Sequence, residues 1–93
     1  MNDNQRRWQH AALTVLLDPA NHGTYRPWLP ASWAVMLIRQ QASCTAQAAN
    51  GSLRALLTVG LADSCRTHEG LFWKATDAAE RAADLLVENE GKA

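Results

Sequence analysis

The stretch Thr45-Ala46-Gln47-Ala48-Ala49-Asn50-Gly51-Ser52-Leu53-Arg54-Ala55-Leu56-Leu57-Thr58-Val59 decides the fold, because it reads either as one helix or as the junction of two. As one helix it aligns Ala46, Ala49, Leu53, Leu56 and Leu57 on one side and turns Gln47, Asn50, Arg54 and Thr58 to the other. Asn50-Gly51 stands against that reading, since a glycine costs about 1 kcal/mol in a helix interior and often marks a helix end. On the rival reading the preceding helix runs on to Ala49, Gly51 closes it, and Ser52 caps a shorter helix through Leu57. The chain is then an all-α helical bundle.

On the N-terminal side, Pro30 suits a helix start, and Ala31 to Ala42 carries Trp33, Met36, Leu37 and Ile38 ahead of the polar Arg39-Gln40-Gln41. Earlier, Trp8, Ala11, Ala12, Val15 and Leu16 fall three and four apart and predict a first helix from Gln5 to Leu17, stopped by Asp18-Pro19. The segment between, with Asn21-His22-Gly23 and two prolines, is expected to be loop, with Thr24 to Trp28 as a short strand. On the C-terminal side, Leu61 to Thr67 and Leu71 to Ala75 flank His68-Glu69-Gly70 and are expected to pair as a hairpin. Thr76-Asp77 then caps a final helix, Ala78 to Asn89, with Ala79, Ala82, Ala83 and Leu86 on one face. This predicts a single domain over 1–93: an N-terminal helix to residue 18, a loop over 19–30, and a helix-turn-helix, hairpin and C-terminal helix over 31–90.

With 93 residues, 47% of them hydrophobic and 19% charged, the chain supports one small packed core and is not disordered in composition. Core filling is expected for Trp8, Trp33 and Trp73, with partners for their buried indole N–H groups, whereas the prolines around Trp28 hold it near the surface. Nine basic residues balance nine acidic ones, so no global positive field draws the chain to nucleic acid. The charge is uneven all the same. Residues 1–62 hold five arginines against Asp3 and Asp18, net +3, and residues 63–93 hold four bases against seven acids, net −3. No apolar run reaches the eighteen or so residues that span a bilayer, and no signal-peptide core succeeds the first residues, which places the protein in the cytoplasm, away from membranes. Cys44 and Cys65 are then expected to be free thiols.

From Leu53 onward the chain reads Leu-Arg-Ala-Leu-Leu-Thr-Val-Gly-Leu-Ala, then a polar tip Arg66-Thr67-His68-Glu69-Gly70, then Leu71-Phe72-Trp73-Lys74-Ala75-Thr76-Asp77. This run resembles winged helix-turn-helix domains of the MarR-like kind, over roughly residues 31 to 90. In those domains leucines end the recognition helix, glycine-leucine opens the wing, and aromatic residues lead to a threonine-capped helix. The resemblance implies a mainly α (α+β) fold with a short β-hairpin wing, a recognition helix offering Thr45, Gln47, Asn50 and Arg54, and a wing offering Arg66, Thr67, His68 and Lys74 to DNA. The chemistry agrees in kind: Asn and Gln pair with adenine edges, Arg pairs with guanine, and wing cations meet phosphates.

Catalysis is not expected. Neither thiol has a base beside it in sequence, and the chain holds no glycine-rich phosphate loop and no paired carboxylates suited to acid–base work. Cys44, Cys65 and His68, with His10 or His22, are scattered rather than paired as metal ligands are, so no metal and no cofactor are expected. Two functions remain. One is a small DNA-binding transcriptional regulator, dimeric through the first and last helices. The other is a protein-binding inhibitor or adaptor from a phage or mobile element, anti-CRISPR-like in scale, with Tyr25, Arg26 and Trp28 as its anchors.

Overall fold

Helix α1 spans Asp3–Leu17 in a computed structural model of the chain, which describes residues 3–22 and 26–82. It buries Ala11, Ala12, Leu13, Val15 and Leu16 and rests Trp8 against the same core. The last carbonyls of α1 are satisfied by residues 18–22, immediately beyond its end. Asp18 N donates to Thr14 O at 3.1 Å, Asn21 Nδ2 to Val15 O at 3.0 Å, and His22 Nε2 to Leu16 O at 2.9 Å. Between them Pro19–Asn21 forms one 3-10 turn, with the Asp18 carboxylate accepting from Ala20 N at 3.0 Å. The Asn-His of the loop therefore serves as a side-chain cap for the helix before it.

Strand β1 is only Leu29–Pro30, later than the strand expected at Thr24 to Trp28. Residues 24 and 25 of that expectation lie outside the described residues, and Arg26-Pro27 forms a turn. Leu29 pairs with the central strand, and Pro30, which has no N–H to extend a ladder, hands the chain straight to α2.

Helix α2 covers Ala31–Ala42 and buries Ala34, Ile38 and Ala42, one per turn. Trp33, expected in the core, is 52% exposed, and Met36 is 46% exposed. The inward stripe is set by Ala34 and its i+4 and i+8 partners, so Trp33, one residue earlier, points about 100° away from it. Ser43 ends α2 in the left-handed conformation (φ 52°), its N–H bonded to Arg39 O at 2.9 Å.

Helix α3 then runs unbroken over Ala46–Thr58, and the rival bundle reading is set aside. Thr45 caps it, its hydroxyl accepting from Ala48 N at 3.1 Å. Ala49, Ser52, Leu53 and Leu56 are buried on one face. Burying Leu53 and Leu56, at about 1.5–3 kcal/mol each, outweighs the cost of Gly51. The polar neighbours bond back along the helix, Asn50 Nδ2 to Ala46 O at 3.1 Å and Ser52 Oγ to Ala48 O at 2.8 Å. Gly60 (φ +82°) closes the helix: Gly60 N bonds to Leu57 O at 3.2 Å and Leu61 N to Leu56 O at 2.9 Å, the paired bonds of a Schellman ending.

Strands β2 (Ala62–Thr67) and β3 (Gly70–Ala75) form the hairpin, antiparallel throughout, and the sheet order is β1-β3-β2. Only Gly70 takes a positive φ (+125°) at the two-residue turn, so His68 and Glu69 keep the conformations that L residues prefer. Trp73 faces the helices and joins their core, with Leu71 and Ala75 packed beside it. The indole N–H groups of Trp8 and Trp73 are buried with no hydrogen-bond partner among the described residues, contrary to the expectation for buried tryptophans.

Thr76 fastens the two halves. Its hydroxyl donates to Gly60 O at 2.7 Å, its N–H bonds to Leu61 O at 3.1 Å, and its own oxygens receive Ala79 N, which starts the helix at residues 77–82. The remainder of the expected final helix, from residue 83 on, lies outside the described residues. The element order helix, strand, helix, helix, strand, strand, with the hairpin's second strand central, is the α+β arrangement of a winged helix-turn-helix.

A Cβ added at Gly51 meets nothing within 4 Å. Gly51→Ala is therefore expected to stabilise the protein by about 0.5–1 kcal/mol and raise Tm by a few degrees. A thermal melt followed by circular dichroism checks this, and a lowered Tm would contradict an unbroken α3.

Candidate nucleic-acid interface

The exposed side of α3 carries Gln47, Asn50 and Arg54 at spacings of three and four, so they form one stripe two turns long opposite Leu53 and Leu56. Thr45 stands at its N-terminal end, where its hydroxyl oxygen is committed to the cap. Asn50, exposed, gives one amide hydrogen to Ala46 O at 3.1 Å. Thr58 bonds back to Arg54 O at 3.0 Å.

One cation near this stripe was not among the residues that the sequence singled out. Arg39, in the last turn of α2, donates from Nε to Cys44 O at 3.2 Å and so spans the turn into α3. In sequence it passes for the polar tail of a helix. Its signal is weak: an arginine in a last helical turn, where a cation also suits the helix dipole.

The wing is less basic in place than its sequence implies. Asp63 stands opposite Lys74 in the strand register, and Glu69 shares the tip with His68, whose side chain is 92% exposed. Those two lie 3.8 Å apart. Arg66 pairs in register with Leu71 and is exposed, which puts it on the side of the sheet that faces the helices. Thr67 is used by the turn, accepting from Glu69 N at 3.1 Å and donating to Gly70 O at 3.4 Å. Lys74 is at the base of the wing, with Nζ 4.9 Å from the centre of the Trp28 ring, a cation–π contact.

That contact joins two residues from different expected sites. Trp28, a candidate protein anchor, is half-buried against the outer face of the sheet, while Arg26 is exposed and Tyr25 lies outside the described residues. Thus Gln47, Asn50 and Arg54 are brought together on α3, Arg66 and His68 extend along the wing, and Lys74 is drawn away to Trp28. Among the described residues no three His, Cys, Asp or Glu side chains are placed to share a metal ion. No helix among them is long and apolar enough to cross a membrane. Comparison with protein families, with curated proteins and with solved structures finds no match to the chain.

Both cysteines are free, Cys65 exposed on β2 and Cys44 half-buried in the turn between α2 and α3. Titration with a chromogenic disulfide reagent is expected to give two phases, a fast one lost in Cys65→Ser and a slower one lost in Cys44→Ser. A single slow phase would mean that Cys65 is covered.

Proposed function

We propose that the protein is a small DNA-binding regulator that reads duplex DNA with the outer stripe of α3 and steadies itself with Arg39 and Arg66. The observation that carries this reading is the continuity of α3 through Asn50-Gly51, which holds Gln47, Asn50 and Arg54 on one exposed face. Amide side chains on such a face suit adenine edges and Arg54 suits guanine. Charge agrees with this face: α2 and α3 contain Arg39 and Arg54 and no aspartate or glutamate. With so few cations per copy, a second copy on the duplex doubles the contacts, and the regulator acts as a homodimer.

The MarR-like resemblance implies this same use of the helix and the wing, with one difference in emphasis. The wing's two bases are offset by Asp63 and Glu69, and one of them is held by Trp28. Specificity then rests on α3, and the backbone contribution is small.

A protein-binding module is the second reading, favoured by Trp33 and Met36, which stand exposed on successive turns of α2. Large apolar side chains in that position are common anchors for protein partners.

Binding to a random duplex across a salt series separates the two. The logarithm of affinity is expected to fall with the logarithm of salt at a slope of about −2 to −3 per copy, the value for two or three phosphate contacts. Arg66→Ala should weaken all duplexes alike and reduce that slope by about 1. Arg54→Ala should cost about 1–3 kcal/mol on a duplex enriched by selection and much less on random sequence. A flat, weak salt response unchanged by both substitutions would reject the DNA reading and leave the module.

A further inference from the structure

We propose that the cleft between Trp28 and the outer face of the wing is a binding site for a small organic cation with an apolar body, an aryl- or alkylammonium compound. The cleft is a cavity of about 270 Å³ lined by Trp28, Cys65, Thr67, His68, Glu69 and Phe72. It shares no residue with α3 and lies on the side of the sheet turned away from the helices, so it stands whether or not the protein binds DNA.

Phe72 is the first reason. Along β3, Leu71, Trp73 and Ala75 pack on the helical core, and by the alternation of a strand Phe72 points the other way. The outward face of a small antiparallel sheet is ordinarily polar and wet. Here Phe72 is only 8% exposed and shares its cavity with Trp28. Cys65, directly opposite Phe72 in the register, adds a soft, polarisable sulfur to the same wall. The floor is therefore aromatic and apolar, which fits a hydrophobic body of one or two rings.

Charge at the rim selects the sign of the occupant. Thr67 spends its hydroxyl inside the turn, and the Glu69 carboxylate, 3.8 Å from the His68 imidazole that lines the same cleft, is the anionic group at the mouth. Lys74 is not part of the lining, and Asp63 stands opposite it in the strand register. The protein also carries its own precedent: the Trp28 ring already holds the ammonium of Lys74 at 4.9 Å, so its π surface attracts cations in this setting. Two aromatic rings with a carboxylate at the edge make a partial aromatic cage, the arrangement that recognises substituted ammonium groups.

The probes are benzyltrimethylammonium, benzyl alcohol and 3-phenylpropionate, titrated into the full chain and followed by amide and indole NMR shifts and by the rate of Cys65 alkylation with iodoacetamide. The cation is expected to saturate, to shift the Trp28 indole and Phe72 amide, and to slow alkylation of Cys65. The alcohol should bind several-fold more weakly, and the carboxylate about tenfold more weakly or not at all. Trp28→Leu should weaken the cation by about tenfold, and Glu69→Gln by about threefold while leaving the alcohol unchanged. Glu69 is in an exposed turn, so Glu69→Gln keeps the fold and carries the charge test by itself if Trp28→Leu unfolds the protein. Absence of saturable shifts at tens of millimolar, equal binding of cation and carboxylate, or indifference of the cation to Glu69→Gln would each overturn the proposal. The salt series on duplex DNA is read through α3, Arg39 and Arg66, none of which lines the cleft, and its failure would leave this result standing.

Discussion

Trp73 is the side chain on which the rest of the structure hangs. It sits on the central strand, is 4% exposed, and belongs to the same core as Ala12 and Leu16 of α1, Ile38 of α2 and Leu53 of α3. A large indole buried in that core fixes which side of β3 faces inward, and a strand has only two sides. Leu71 and Ala75 then turn inward as well, Phe72 and Lys74 go outward, and the outer cleft with Trp28 exists because of that choice. The register places Leu29 against Trp73, which settles where the loop before α2 must join the sheet. A slip of one residue would put Phe72 in the core and leave Trp73 in water.

The second constraint is the pair of joints at the ends of α3. Ser43 in the left-handed region and the Thr45 cap set the turn before it, and Gly60 with the Thr76 hydroxyl sets the turn after it. Both joints are built from backbone groups that a helix terminus leaves open, so each is satisfied locally and holds a long-range relation at the same time. The outer stripe of α3 and the wing consequently keep a fixed relation. The charge on α2 and α3 is modest. The acids of the chain avoid residues 19–62 altogether, so Arg39 and Arg54 have no carboxylate on their own helices.

Much of this fold is legible in the sequence. Residues Trp8, Ala11, Ala12, Val15 and Leu16 mark the first helix because burial of one face imposes a 3.6-residue period. The hairpin is legible from its turn residues, and Thr76 from its position before a run of alanines. Trp33 misleads because size and hydrophobicity say nothing about which stripe of a helix faces inward; the smaller Ala34, Ile38 and Ala42 settle that together. The strand expected at Thr24 to Trp28 misleads because a two-residue strand has no period to detect and exists only through its partner on β3. For the candidate interface, Gln47, Asn50 and Arg54 share a face by spacing alone, whereas the diversion of Lys74 to Trp28 links residues far apart in the chain and leaves no local trace.

Asn50-Gly51 marks the boundary between these two kinds of information. The sequence by itself determined that residues 45–59 have an apolar and a polar side, that Thr76 stands where a cap belongs, and that the acids lie outside the helix-turn-helix stretch, because propensity, periodicity and charge are properties of neighbours in the chain. Whether the helix continues through its glycine was a contest between about 1 kcal/mol of local cost and the burial of Leu53 and Leu56, and that burial exists only once α1 and the sheet are in place. The tertiary structure alone decided the continuity of α3, the outward turn of Trp33, and the cleft between Trp28 and Phe72, since each depends on surfaces that distant segments bring together.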